Sequence, residues 1–234
     1  MFWHPSELAR AAVAAALIVP SAPVVADVMV VRSVGPSARR YPAGARLAET
    51  ARVTLQSGDE VTMLDEHGAR ALRGPGTFDA GAAPRRAATP ARAQAQRRAG
   101  LAGPARPPSI WHVDFVKSAT ICIANPAAVT LWRRDSSAGL ALTITRLPDG
   151  ATRNVAFPVG ATTAVWPADL RISDGAHYRV SWPGAAQPSA ITFRTPERPF
   201  GLQNIASTLI RNGCSDQLDN MIETVRLPGE VPKS

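Results

Sequence analysis

Between Gly81 and Pro108 the chain is built almost wholly of Ala, Arg, Gly, Pro and Gln, with Leu101 its one large apolar residue. Such a segment buries too little apolar surface to offset the entropy of ordering it. Pro84, Pro90, Pro104, Pro107 and Pro108 confine any helix to a transient turn or two over 91–99. No core can run through 81–108, so the chain must fold on either side of it. The expectation is a flexible Arg/Ala/Pro-rich linker between two modules.

The charge follows the same division. The net charge is +8, yet residues 27–80 balance seven arginines against seven acids. The linker carries Arg85, Arg86, Arg92, Arg97, Arg98 and Arg106 with no acid at all, so the excess basicity belongs to it. Of the 26 basic residues only Lys117 and Lys233 are lysines, a compositional bias rather than a phosphate-binding device. No aromatics interleave with the linker arginines as a nucleic-acid stacking platform requires, so no nucleic-acid partner is expected. Two readings of the six arginines stay open. They contact an anionic envelope polymer or an acidic envelope protein, or they form a solvated spacer extended by its own charge.

Residues 1–26 read as a signal peptide. Arg10 precedes an apolar stretch from Ala11 to Val19, and Val24 and Ala26 occupy the small-residue positions before a cut, placed after Ala26. Glu7 weakens the basic lead. An uncleaved anchor needs about 20 apolar residues, and Pro20 and Pro23 interrupt this run; an N-terminal helix of a cytosolic protein is the other alternative. The expected location is the periplasm or secreted space, with no stable membrane span after cleavage. The two cysteines, Cys122 and Cys214, fit an oxidising compartment as a disulfide. Two separately buried thiols are the alternative. Neither cysteine has a second Cys or a His at metal-ligand spacing, so no metal site is expected.

Residues 27–80 read as a small β module. Val28–Val31 is an apolar run fit for a buried strand, and 52–56, 60–64 and 69–73 follow between turns at 57–59 and 65–68. The pattern predicts a β-meander ended by Gly74-Pro75-Gly76, and about 50 residues make it marginal alone. Gly74-Pro75-Gly76-Thr77 lacks the Lys and the helix of a phosphate loop and reads as a strand terminator. Tyr41-Pro42-Ala43-Gly44-Ala45-Arg46-Leu47 followed by Ala51-Arg52-Val53-Thr54-Leu55 resembles the FecR-like periplasmic domain. The resemblance implies a β module of the cell envelope and covers roughly a quarter of the chain. No anti-sigma segment accompanies it.

Residues 109–198 read as a β-sandwich, with strands at 119–124, 129–133, 140–146, 151–157, 178–182 and 190–194. Ile172-Ser173-Asp174-Gly175-Ala176-His177-Tyr178 resembles the tyrosine corner of immunoglobulin and fibronectin type III-like domains, with Asp174 where proline is commoner. That resemblance implies a Tyr178 hydroxyl bonded to backbone a few residues upstream. Residues 199–230 read as a helical tail. Leu202, Ile205, Ala206 and Leu209 share one face, Gly213 breaks the helix, and Ser215 caps a second one bearing Leu218, Met221, Ile222 and Val225. The stripe is expected to pack on the sandwich; a partner-binding helix is the alternative.

The fold class is therefore mainly β: a small β-rich module plus a β-sandwich with a C-terminal helical hairpin. Of the histidines, His4 leaves with the signal, His67 occupies a turn and His177 lies at the surface. Ser109, His112 and Asp114 tempt a triad reading, but neighbours so close on an extended segment point to opposite or successive faces. No nucleophile elbow is present, so no enzyme and no cofactor are expected. The reading is a non-catalytic periplasmic binding or scaffolding protein. The alternative is an accessory or sensory subunit of an envelope signalling system.

Overall fold

The computed structural model describes residues 27–82, 106–197 and 201–225. The expected signal peptide, the linker residues Arg85, Arg86, Arg92, Arg97 and Arg98, and residues 226–230 lie outside the described residues. The protein is mainly β, with fourteen strands in four sheets and two ten-residue helices near the C-terminus among the described residues.

The first sheet is antiparallel, in the order β2 (Arg46–Ala48), β1 (Asp27–Val34), β4 (Glu60–Asp65), β5 (Gly68–Arg73). β1 reads as a continuous apolar run because both of its faces are covered. Val28 and Val30 pack with Val53, Val61 and Met63, whereas Met29 and Val31 lie in a separate core with Leu64 and Ala69.

The expected meander is not what forms. β3 (Arg52–Leu55) leaves the sheet and pairs with β6 (Gly76–Asp79) in a two-stranded ribbon. Only one face of β3 is apolar, and Val53 and Leu55 lay that face on the sheet. Its backbone is satisfied by β6: Gly74-Pro75-Gly76 ends β5 at Arg73 as expected and leads the chain into a further strand. Gly74 is required there. A Cβ would stand 1.9 Å from the Gln56 carbonyl oxygen, and the Gly74 N–H donates to the Asp59 carbonyl at 3.0 Å.

The sandwich has a five-stranded sheet and a three-stranded one. The larger runs β11 (Thr152–Phe157), β10 (Leu140–Arg146), β13 (His177–Ser181), β14 (Ser189–Arg194), β8 (Ala119–Cys122). The smaller runs β12 (Thr163–Val165), β9 (Thr130–Trp132), β7 (His112–Asp114). β8 joins β14 in parallel and β7 joins β9 in parallel. Leu142, Ile144, Tyr178, Val180, Ile191 and Phe193 of the larger sheet meet Val113 and Leu131 of the smaller one in a single core. Trp166 packs edge-on against Tyr178 and Phe193, at 4.9 and 5.1 Å between ring centroids. The Tyr178 hydroxyl donates to the Arg171 carbonyl, seven residues upstream, at 2.5 Å. β7 and β12 fall outside the expected strands, since three residues are too few for alternation to register.

Helix α1 (Leu202–Arg211) and helix α2 (Ser215–Thr224) form the hairpin, broken at Gly213 with φ +70°. Cys214 rather than Ser215 occupies the cap position of α2, and Ser215 is its first helical residue. The stripe also differs from expectation in where it packs. Ala206, Leu209, Leu218, Met221 and Ile222 join Met29, Val31, Leu64 and Ala69 of the first sheet, and contact with the sandwich is made at β8. The reason is the chemistry of the available faces. The outer face of the five-stranded sheet carries Thr143, Thr145, Thr152, Asn154 and Arg179, whereas the first sheet offers apolar side chains on the face away from the ribbon. Residues 201–225 thus supply the missing layer of the first module.

Candidate functional site

A cleft of about 760 Å³ lies where the edge of the sandwich meets α2 and the segment that precedes β7. Its apolar wall includes Phe115, Trp132, Leu140 and Trp182, with Phe115 and Trp182 in edge-to-face contact at 5.4 Å. The opposite side is α2, which contributes Asp216, Gln217, Asp219 and Asn220.

β7 supplies two polar groups to this space. Along a strand alternate residues share a face, so His112 and Asp114 both line the cleft while Val113 is buried in the sandwich core. This corrects the sequence-based expectation that the two would point apart; residues two apart on a strand face the same way. They are nonetheless not joined to Ser109 in a relay. The Ser109 hydroxyl oxygen accepts from the Trp111 N–H at 3.2 Å, and Asp114 accepts from the Val116 N–H at 3.2 Å. His112 Nδ1 is buried without a hydrogen-bond partner among the described residues.

Burial pushes the Asp114 carboxyl above the ordinary carboxylate range. The Val116 hydrogen bond and the charges of Lys117 and Arg134 oppose that push, while the nearby Asp216 carboxylate adds to it.

The joint behind the cleft is fastened twice. Cys122 at the end of β8 and Cys214 at the start of α2 stand at disulfide distance, both fully buried, with Cα atoms 5.9 Å apart. Gln217 then clasps the same strand end: its Oε1 accepts from the Cys122 N–H at 2.6 Å, and its Nε2 donates to the carbonyls of Cys122 at 2.8 Å and Ile110 at 2.6 Å. Gln217 escaped the sequence reading because one buried glutamine on a polar helix face carries no local signal.

Of the six linker arginines, Arg106 is among the described residues. It lines the cleft and pairs with Glu223 of α2 at 3.5 Å, so it is partly engaged within the chain. Asn220 Nδ2 donates to the Pro107 carbonyl at 3.3 Å, which fixes the end of the linker on α2. His67 is exposed in the β4–β5 turn, and His177 is exposed on β13, within hydrogen-bonding distance of Thr192. Among the described residues no three His, Cys, Asp or Glu side chains converge as a metal-binding group, and no helix is long and apolar enough to cross a membrane. No protein-family model matches the chain, and no curated protein is significantly similar to it.

Proposed function

We propose that this chain is a non-catalytic binding or scaffolding protein of the cell envelope, exported through residues 1–26, and that it holds its ligand or partner in the cleft beside α2. The observation that carries this reading is a 760 Å³ space with an aromatic wall, a size and lining typical of small-molecule sites. The cysteine pair and the resemblances to FecR-like and immunoglobulin-like domains support an extracytoplasmic location.

The test uses rim and control variants. Val116 lines the cleft and is 53% exposed, whereas Val165 on the edge strand β12 is 74% exposed and is not among the lining residues. Capture of an envelope component by the immobilised protein is expected to fail for Val116→Glu and to persist for Val165→Glu. Equal capture by both variants places the binding surface elsewhere.

One observation favours the signalling alternative. The cleft walls come from two parts of the fold, the sandwich and a helix whose apolar face belongs to the first module. A ligand touching both walls changes how the parts sit together, which is how an envelope input reaches a membrane partner. Capture of a single membrane receptor favours that reading; capture of polymer or of several partners favours scaffolding.

A further inference from the structure

The charged groups that line the cleft are not equivalent. Arg133 is turned into the protein: its Nε donates to the Ala161 carbonyl at 2.9 Å, its Nη2 to the Pro158 carbonyl at 3.1 Å, and its guanidinium lies 5.1 Å from the Phe157 ring centroid. Arg106 is paired with Glu223, Asp219 with Arg32, and Asp135 accepts from the Ser137 N–H at 2.8 Å. Two carboxylates are left, on a lining that Lys117 and Arg134 share. Asp114 and Asp216 have no ion-pair partner at salt-bridge distance among the described residues, and Asp114 is half-buried. Lys117 and Arg134 act on Asp114 from a distance, and both are exposed side chains.

We infer that the cleft selects a ligand carrying an ammonium group on an apolar body, with Asp114 and Asp216 receiving the charge and Trp182 and Leu140 receiving the body. The inference rests on the reading of this cleft as the binding site. An ammonium between the two carboxylates relieves their mutual repulsion and replaces the water Asp114 has lost. The indole of Trp182 adds its own attraction for a cation. A carboxylate ligand meets the opposite: repulsion from both aspartates, which Lys117 and Arg134 on the same lining offset only in part. The ammonium belongs either to a free amine or to a lysine side chain of a peptide, and the probes below separate the two.

The experiment titrates the full-length protein with four probes: phenethylamine, 2-phenylethanol, 3-phenylpropanoate and N-acetyl-lysine methylamide. Binding is followed through the indole N–H resonances. Phenethylamine is expected to bind about tenfold tighter than 2-phenylethanol, with 3-phenylpropanoate weakest. Asp114→Asn and Asp216→Asn are each expected to remove most of that preference by weakening phenethylamine far more than 2-phenylethanol; an asparagine at 114 keeps the acceptor for the Val116 N–H. Tight binding of the lysine derivative as well assigns the ammonium to a peptide, and its failure beside a bound phenethylamine assigns it to a free amine. If the amine and the alcohol bind equally, or the carboxylate binds best, the charge selection is overturned while the cleft stands as a site. If no probe binds, the cleft reading falls and the inference with it.

Discussion

Asp149 and Asp114 are both carboxylates of the sandwich, and their surroundings drive them in opposite directions. Asp149 sits in the β10–β11 turn and accepts from Arg146 Nε at 2.9 Å and Nη2 at 2.5 Å. That hydrogen-bonded pair, with the Ala151 N–H, holds its carboxyl down to about 2. A carboxylate whose folded value lies below its ordinary 3.8 contributes stability above that value and loses it as pH falls through about 2. The Asp149 side-chain resonance is therefore expected to titrate near pH 2, and Arg146→Gln to return the midpoint toward 3.8. The turn Pro148-Asp149-Gly150 is legible in the sequence as a turn. The ion pair is not, because three-residue spacing does not say which way the Arg146 side chain folds over its own turn. Asp114 is a harder case still, since the cleft that desolvates it is walled by residues far apart in sequence.

Among the elements, β1 and α2 show how far local pattern reaches. The unbroken run Val28–Val31 identifies a strand covered on both sides, but it does not say what covers the second side. The apolar stripe of α2 identifies a buried helix face, but not the surface it meets. Periodicity reports that a side chain is buried and is silent about its neighbours. Gln217 illustrates the cost of that silence. Its three hydrogen bonds go to the backbone of Cys122 and Ile110, more than ninety residues earlier in the chain. Gln217→Ala leaves those buried groups unsatisfied and is expected to destabilise the protein by about 2–4 kcal/mol in denaturant unfolding. The Cys122 amide, which Gln217 alone accepts from among the described side chains, is expected to exchange markedly faster.

At the level of the whole molecule, the helical pair makes the first module discontinuous. The chain builds a sheet and ribbon, forms the sandwich, and then returns over 201–225 to cover the open face of the first sheet. The Cys122–Cys214 pair, 92 residues apart in sequence, pins that return to β8. Leu209 is buried in the core shared by α1 and the first sheet. Leu209→Ala is expected to cost about 2–4 kcal/mol. The lost protection, read by amide exchange, should fall on β1, β4 and β5 and spare β10 and β13. Loss of protection in β10 and β13 instead would tie the helices to the sandwich core.

The sequence by itself determined the β class, the placement of the longer strands and the existence of both helices. Each of these rests on local physics: side-chain alternation, helical periodicity and turn residues. The tertiary structure alone decided that β3 pairs with β6, that the helices serve the first module, and that Asp114 and Asp216 come to line one cleft. Those outcomes depend on which apolar face is left uncovered once the nearer parts have folded, and on groups far apart in sequence meeting across it. Neither quantity is written in any window of the chain.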